Sequence, residues 1–177
     1  MSFTYQYSQP DEYHFSLDST VATQIIADEL KKSKSNFSQF QILDLCAGCG
    51  VMGFELSYHI PEIRNIDFLD VQEIYKEHFE KNKKIVNRPE LNVHFLQMNY
   101  EKLKQEQFEK KYDVIICNPP YFQAEHGKLS PSEFKNRCRF FIDSTFTQLI
   151  ESILYVLRTN GKAFILIRPL TDHKQNL

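Results

Sequence analysis

The stretch Gln41-Ile-Leu-Asp-Leu-Cys-Ala-Gly-Cys-Gly-Val-Met-Gly53 decides the fold. It begins with a mostly apolar run of strand length and continues through three glycines into an apolar segment that predicts a helix. Glycines allow a tight turn and let backbone amides approach a ligand closely, and a helix start presents unpaired N–H groups. The stretch therefore predicts a nucleotide-like cofactor at the end of a parallel strand. The competing interpretation is that the glycines only turn the chain.

Two carboxylates lie next to this turn in the predicted sheet. Asp70 ends the next predicted strand, 22 residues after Gly48, where a carboxylate can accept both hydroxyls of a ribose. These features also fit an NAD dehydrogenase. Asp44 lies four residues before Gly48 and favours a ligand with a cationic amino-acid end. S-adenosylmethionine, with its ammonium, sulfonium and adenosine, is such a ligand.

From Gln41 onward, apolar runs of strand length alternate with longer amphipathic segments. This alternation is typical of α/β folds with a mainly parallel sheet. We predict a Rossmann-like twisted sheet with strand order 3-2-1-4-5. The expected strands are 41–45, 65–69, 92–97, 112–117 and 162–167. The expected helices are 51–59, 71–86 and 144–158, with a short piece near 100–108 and Gly161 as the stop signal of the last helix.

The residues before this alternating region predict a flank and one helix. Phe3, Tyr5 and Tyr7 alternate with polar residues, as in a short half-buried strand. Apolar residues then recur at helical spacing over 21–30, with Ser16 or Asp18 as the expected cap. We assign residues 1–40 to an N-terminal flank and residues 41–177 to the cofactor-binding domain, within a single domain overall.

Asn118-Pro119-Pro120-Tyr121 follows the predicted strand 112–117, at the sheet edge where open parallel sheets bind ligands. Two prolines remove two backbone donors, so the groups left to face a ligand are acceptors: the Asn118 side-chain oxygen and the Pro119 carbonyl. Such a pair can hold both hydrogens of a planar amino group and favour the pyramidal geometry of a nucleophile. Tyr121 offers a flat face for a base. The alternative is a rigid turn that ends a strand.

The composition argues against a disulfide scaffold, a cysteine-based metal site and a membrane-spanning protein. The 177 residues are 42% hydrophobic, which supports a packed core, and a net charge of −2 provides no overall attraction to a polyanion. Four cysteines are too few for a disulfide scaffold, and Cys46 and Cys49 have no second close pair or spaced histidine, so no metal site is expected. We expect a cytoplasmic protein without a membrane-spanning segment.

One long segment, 122–141, has no obvious secondary structure and is typical of a functional loop. Within it, the stretch from Lys128 to Arg139 is locally basic. We expect this stretch to contact the phosphates of a nucleic acid, although charge alone supports a solvated surface loop equally well.

Taken together, the residues 44–53, Asp70 and the Asn-Pro-Pro-Tyr motif resemble class I S-adenosylmethionine-dependent methyltransferases that modify amino nitrogens. His14-Phe-Ser-Leu-Asp-Ser19 and Arg137-Cys-Arg139 narrow the resemblance to small-domain methyltransferases, especially the branch that methylates the exocyclic amino group of an adenine in tRNA(Val). The resemblance covers about residues 14–169. It implies S-adenosylmethionine as cofactor, an RNA substrate, with tRNA expected, and no metal.

The resemblance also implies roles for individual residues. Asn118, Pro119, Pro120 and Tyr121 would form the catalytic motif. The flank would cover the cofactor through Phe15 and Asp18. The remaining implied cofactor-binding residues are Asp44, Gly48 and Gly50 around the methionine end, Asp70 at the ribose, Asn99 beside the adenine, and Cys46, Val71 and Asn118. Asn99 departs from the family, in which this position is commonly acidic.

The sequence leaves two alternative functions open and departs from the family pattern in one further respect. The acceptor could instead be a glutamine side chain of a protein, as in release-factor methyltransferases, or the chain could be a non-catalytic cofactor-binding subunit. The family usually continues past the fifth strand into a helix and an antiparallel hairpin, whereas this sequence stops at Leu177. We therefore expect further residues or a covering partner at this edge.

Overall fold

A computed structural model describes residues 4–33, 35–123 and 129–167. It contains seven strands: β1 (Gln41–Leu45), β2 (Asn65–Asp70), β3 (Asn92–Gln97), β4 (Tyr112–Cys117), β5 (Phe122–Gln123), β6 (Phe140–Phe141) and β7 (Leu157–Ile165). Five of them form a parallel sheet in the order β3-β2-β1-β4-β7. The two-residue strands β5 and β6 pair separately. The predicted α/β class and strand order are confirmed, with β7 as the fifth strand of the sheet.

Successive side chains along each strand point to opposite faces of the sheet, and this gives two apolar layers. Ile42 and Ile66 point to one face, which packs against the first three helices, whereas Leu43 and Leu69 point to the other face. The central strands are buried on both faces because helices cover both sides of a parallel sheet.

Five helices surround the sheet: α1 (Leu17–Lys31), α2 (Val51–His59), α3 (Ile74–Val86), α4 (Glu133–Arg139) and α5 (Phe146–Val156). Residues of α1, α2 and α3 contribute to one apolar cluster and residues of α5 to the other. Two short 3-10 turns, Tyr100–Leu103 and Glu106–Phe108, replace the single piece expected near 100–108. None of the helices in the described ranges has the length and apolar character needed to cross a membrane.

The helix α3 begins at Ile74, three residues later than predicted. The carboxylate of Asp70 accepts a hydrogen bond from the backbone N–H of Gln72 at 2.9 Å. This contact holds the chain in a turn between β2 and the helix. The prediction that the helix begins at residue 71 was therefore wrong.

The junction of α5 and β7 also differs from the prediction. The helix ends at Val156 because Leu157 already pairs with Tyr112 of β4. Gly161 lies inside β7, where the strand pairing is irregular, and does not stop the helix. A Cβ atom there would lie 3.0 Å from the carbonyl oxygen of Asp113, so the close approach of the two strands explains the glycine.

The expected N-terminal strand was wrong for the described residues 4–10, which contain no strand. Their aromatic side chains instead pack on each other and on the flank, with ring centroids of Tyr5 and Tyr7 5.7 Å apart. Ser16 is the N-cap of α1, but its hydroxyl donates to Asp18 and caps no helix N–H, contrary to our expectation.

Candidate active site

A cavity of about 200 Å³ lies at the carboxyl ends of the strands. The glycine turn after β1, the residues after β2, and the Asn-Pro-Pro-Tyr motif after β4 all border it. Of the predicted site residues, the cavity is lined by Phe15, Asp44, Cys46, Gly48, Asp70, Val71, Asn99, Asn118, Pro119, Pro120 and Tyr121. The structure therefore brings together residues that lie more than 100 positions apart in the sequence.

Asp70 connects the end of β2 to the glycine turn. One carboxylate oxygen accepts from the N–H of Gly48 at 2.8 Å, and the other accepts from Gln72. Burial raises the pKa of Asp70 to about 6, against the lowering effect of these backbone hydrogen bonds. Asp70, the residue predicted to bind the ribose, thus also orders the glycine turn.

Asp44 is 1% exposed and lies on the floor of the cavity. Its carboxylate accepts from the N–H of Gly53, in the first turn of α2, at 2.8 Å. Burial and, to a smaller extent, the nearby Asp70 raise the pKa of Asp44 to about 8, against the lowering effect of the hydrogen bond from Gly53. A buried carboxyl of this kind is suited to a cationic ligand group, which would favour its ionised form.

The glycine turn itself has the backbone that its sequence predicts. Gly50, the N-cap of α2, has φ +87°, a conformation that residues with a Cβ atom rarely adopt. Gly50 is not among the residues that line the cavity, although the resemblance placed it around the methionine end. Cys46 lines it with φ +58°.

The side chain of Asn118 has a protein partner at each end. Its Nδ2 donates to the Ser19 hydroxyl of α1 at 3.1 Å, and its Oδ1 accepts from the hydroxyl of Tyr121. The oxygen that we assign to a substrate amine is therefore engaged by Tyr121. Within the part of the chain that the structure describes, the Pro119 carbonyl accepts no hydrogen bond.

Residues 8–16, which we call the N-terminal arm, lie along one side of the cavity. Gln9, Pro10 and Phe15 are among its lining residues. Two buried polar side chains anchor the arm and the residues before it. Glu55 of α2 accepts from the Tyr7 hydroxyl at 2.8 Å, and Asn82 of α3 binds the backbone of Ser8.

Asp18, which was expected to cover the cofactor, lies outside the cavity, and its contact with the cofactor stays a prediction. Its side chain is exposed on α1, accepts from the Ser16 hydroxyl, and does not line the cavity. The neighbouring Ser19, buried and in contact with Asn118, occupies the position that we expected Asp18 to fill. Helical periodicity accounts for the difference, because one residue turns the side chain by about 100°.

The segment 137–144 covers the cavity from the other side. Arg137, Cys138, Phe140, Phe141, Ile142, Asp143 and Ser144 line it. Asn99 holds this segment: its amide donates to the Asp143 carbonyl at 3.2 Å and to the Ser144 hydroxyl at 2.6 Å, while its oxygen caps the turn at Glu101. Asn99 therefore has structural partners, and its contact with a cofactor adenine stays a prediction.

The basic stretch carries less free charge than its composition indicates. The Arg137 guanidinium pairs with Glu133 at 3.0 Å and with Asp143 at 3.3 Å, although its buried Nε makes no well-aligned hydrogen bond. Lys128 lies outside the described residues. The sequence singled out the segment and, through the family resemblance, placed Phe15 of the arm at the cofactor. It missed the cavity-lining side chains of the segment and the other lining residues of the arm.

Among the described residues, no cluster of three or more ionisable or thiol side chains could hold a metal. All four cysteines are free thiols. Burial raises the pKa of Cys49 to about 12 and that of Cys138 above its usual value, so these two thiols are poor nucleophiles.

The sequence profile of the methyltransferase small domain matches residues 14–177. The chain belongs to the methyltransferase small-domain family. Members of this family depend on S-adenosylmethionine, which is the cofactor of this domain. The buried carboxylates Asp44 and Asp70 beside the glycine turn fit a ligand with a cationic end and a ribose. The resemblance derived from the sequence is thus confirmed.

Curated relatives of this small-domain methyltransferase include enzymes named tRNA1(Val) (adenine(37)-N6)-methyltransferase. That of Shewanella sp. strain W3-18-1 is 29% identical over 138 residues, covering 77% of this chain and 56% of that protein. That of Flavobacterium psychrophilum is 31% identical, covering 78% and 57%. The release factor glutamine methyltransferase of Haemophilus influenzae is 31% identical over 117 residues, covering 60% and 36%. The chain spans about half the length of the curated relatives it matches.

Solved structures show the same fold at low identity. NSun6 from Pyrococcus horikoshii, determined with the cofactor analogue SFG, aligns with a TM-score of 0.59 at 17% identity over 88% of this chain and 37% of that one. An O-methyltransferase family protein from Burkholderia thailandensis aligns with a TM-score of 0.56 at 15% identity, covering 86% and 40%. At these identities the likeness concerns the fold alone.

Proposed function

We propose that the protein transfers a methyl group from S-adenosylmethionine to the exocyclic amino nitrogen of an adenine in RNA, with tRNA as the substrate class. The observation that carries this proposal is the acceptor pair of Asn118 and Pro119, which borders the same cavity as the glycine turn. The names of the tRNA-modifying relatives support the substrate class.

Two acceptors at the end of β4 can orient an amine. The Asn118 oxygen and the Pro119 carbonyl would each accept one N–H of the amino group, which directs its lone pair into the cavity. Such hydrogen bonds strengthen as the nitrogen becomes pyramidal and positively charged, so they stabilise the transition state more than the ground state. Most of the rate enhancement would then come from positioning.

Asp44, Asp70 and the backbone of the glycine turn would hold the cofactor. When bound, S-adenosylmethionine supplies a methyl group activated by its sulfonium. The Asp44 carboxylate would pair with the ammonium of the methionine end, and Asp70 would accept from the ribose hydroxyls. Cys46, Val71 and Phe15 line the walls around these groups. The free thiols are consistent with a cytoplasmic, reducing environment.

The role of Tyr121 follows from its two surfaces. Its ring borders the cavity and could stack on the target base, while its hydroxyl binds the Asn118 oxygen. A substrate amine would have to displace this hydroxyl to reach the oxygen. An adenine in a structured RNA would also have to leave its own stack, and a stacking residue lowers that cost.

The test is methyl transfer from labelled S-adenosylmethionine to total tRNA, ribosomal RNA and protein fractions. We expect incorporation into the tRNA fraction as N6-methyladenosine. Asn118→Ala should abolish transfer, because it removes the amine acceptor. It should leave the affinity for S-adenosylhomocysteine nearly unchanged, because Asp44, Asp70 and the glycine turn stay in place although the contact with Ser19 is lost. The control is Asn36→Ala, which removes an asparagine that caps a short turn at Phe37–Gln39.

A second acceptor is favoured by one observation, the match to a glutamine methyltransferase. A carboxamide is planar, like the adenine amino group, and the same pair of oxygens fits it. Label in the protein fraction and none in RNA would support this acceptor. Cofactor binding without any transfer by the unmutated protein would support a non-catalytic subunit.

A further inference from the structure

The motif after β4 is joined to the segment 139–141 by a short parallel ladder. Phe122 in β5 pairs with Phe140 in β6, and their ring centroids lie 5.7 Å apart. The N–H of Tyr121 donates to the carbonyl of Arg139 at 3.1 Å. An aromatic pair therefore begins directly beside the residue that borders the proposed target site.

Arg139 lies over this pair. Its guanidinium carbon is 5.8 Å from the centroid of the Phe122 ring and 5.6 Å from that of Phe140. Both distances are within the range of a cation–π contact. The side chain is exposed, so the guanidinium contacts the two rings while the residue still reaches solvent.

The charge of Arg139 is available to a ligand, unlike that of Arg137. Arg137 pairs with Glu133 and Asp143. Over residues 4–33, 35–123 and 129–167, no carboxylate lies within 4.0 Å of the Arg139 guanidinium. The two arginines of this short helix thus differ in their pairing: Arg137 is neutralised by two carboxylates of its own helix and segment, and Arg139 presents a planar cation that is unpaired within the described part of the chain.

We propose that Arg139, supported by Phe122 and Phe140, binds the nucleotide adjacent to the target adenine. This inference rests on the proposed function and adds a second nucleotide site to it. The guanidinium would stack on the base and hydrogen-bond the phosphate that joins it to the target nucleotide.

The chemistry of the site favours a nucleotide over a peptide. When the target base leaves its stack, the neighbouring base exposes a flat face next to a phosphate, and a planar cation complements both. The aromatic pair fixes the orientation of the guanidinium before binding, which reduces the conformational entropy lost on association. A glutamine acceptor in a peptide offers no flat anionic neighbour.

The test compares Arg139→Ala and Arg139→Lys with a control, Lys84→Ala, which removes one exposed positive charge from α3. The probe is an unmodified tRNA(Val) transcript, used in methyl-transfer kinetics and, labelled with fluorescein, in anisotropy titrations. We expect Arg139→Ala to raise the KM for the transcript about tenfold, consistent with the loss of one stacking contact. The KM for S-adenosylmethionine and kcat should change by less than about twofold.

Arg139→Lys separates stacking from charge. Lysine keeps the positive charge but has no planar group, so we expect an intermediate KM and an unchanged salt dependence of binding. Arg139→Ala should lower the slope of log K against log salt by about one, as expected for one lost phosphate contact. Lys84→Ala should match the unmutated protein in KM.

Two results would overturn the inference. If Arg139→Ala gives the same KM and salt slope as Lys84→Ala while the transcript is methylated, the second nucleotide site is wrong and the proposed function stands. If the unmutated protein methylates only a protein substrate, both are wrong.

Discussion

The side chain of Asn82 hydrogen-bonds the N-terminal arm and the glycine turn at the same time. Its oxygen accepts from the N–H of Ser8 at 2.6 Å, and its Nδ2 donates to the carbonyls of Ser8 and Cys49, each at 2.9 Å. Asn82 is fully buried, and all three partners are backbone groups. The position of the arm is therefore coupled to that of the cofactor-binding turn.

Replacing Asn82 by alanine should weaken cofactor binding. The change leaves three buried backbone groups without their partner, at a cost of about 1–3 kcal/mol each if they stay unpaired, and frees the arm from the turn. We expect the Kd for S-adenosylhomocysteine, measured by calorimetry, to rise about tenfold, equivalent to about 1.4 kcal/mol.

A control with a similar structural cost is Asp67→Asn. Asp67 is buried and accepts from Lys111 at 2.6 Å and from the Tyr112 hydroxyl at 2.7 Å, and it does not line the cavity. Asp67→Asn should lower the melting temperature with little effect on the Kd for S-adenosylhomocysteine. Equal Kd values for both variants and the unmutated protein would refute the coupling.

The hydroxyl of Tyr121 binds the Asn118 oxygen, and in the proposed reaction a substrate amine would compete for the same oxygen. Tyr121→Phe keeps the ring and removes the competitor, so we expect kcat/KM for the RNA to be unchanged or to rise a few-fold. Tyr121→Ala removes the stacking face and should lower kcat/KM by about 5- to 150-fold, equivalent to about 1–3 kcal/mol. Single-turnover methyl transfer with each variant provides the measurement. A large loss of activity in Tyr121→Phe would mean that the hydroxyl itself is required.

The sheet could be predicted from the sequence because its strands are marked by patterns of neighbouring residues. The buried strand β4 is a continuous apolar run after its first two residues, and the glycine turn follows β1 without interruption. The same local reasoning located Asp70 and Asn118 at strand ends, where both line the cavity.

The resemblance implied that the flank covers the cofactor, but the contacts that hold the arm and the covering segment could not be predicted, because they are long-range. Asn82 binds Ser8 from 74 positions away, and Asn99 binds Ser144 from 45 positions away. No spacing rule links such residues. The exchange of Asp18 for Ser19 has a different origin: the sequence predicted the helix, but the side of α1 that faces the cavity depends on how the helix packs.

Cofactor binding should depend on pH through Asp44. Its pKa of about 8 means that the ligand-free carboxyl carries a proton at neutral pH, whereas the ionised form is needed to attract an ammonium group. Binding then releases a proton, so affinity for S-adenosylhomocysteine should increase as the pH rises from 6 to 8 and level off above 8, by up to about tenfold per unit. Calorimetry across this range measures the trend.

The variant Asp44→Asn is the control for this titration. Asp44→Asn should bind more weakly and lose most of the rise between pH 6 and 8, leaving only the upper part of the titration of Asp70, whose pKa is about 6. An affinity of the unmutated protein that is constant from pH 6 to 8 would contradict the assignment of Asp44 to the cationic end.

The same titration has a consequence for stability. The folded carboxyl of Asp44 holds its proton more tightly than an unfolded one, for which the pKa is 3.8. The folded state is therefore favoured most below pH 3.8, and this contribution is lost as the pH rises to about 8. Chemical denaturation should show a steeper fall in the free energy of unfolding across this window for the unmutated protein than for Asp44→Asn.

Gly53 has no room for a side chain, whereas Gly48 has a left-handed backbone conformation that favours glycine. Alanine variants at the two positions can separate these two reasons for a glycine. A Cβ atom on Gly53 would lie 2.3 Å from the Phe68 ring, which is fully buried, and 3.1 Å from the Asp44 carboxylate. Gly53→Ala must displace both, and overpacking of this kind costs about 1–3 kcal/mol. Gly48 has φ +54°, and the nearest atom to a Cβ atom placed on it would be 3.6 Å away, which is an ordinary contact. Gly48→Ala therefore lowers the free energy of unfolding only through the left-handed backbone conformation, by about 1 kcal/mol. Thermal unfolding should therefore show the larger loss for Gly53→Ala, and a larger loss for Gly48→Ala would contradict this packing.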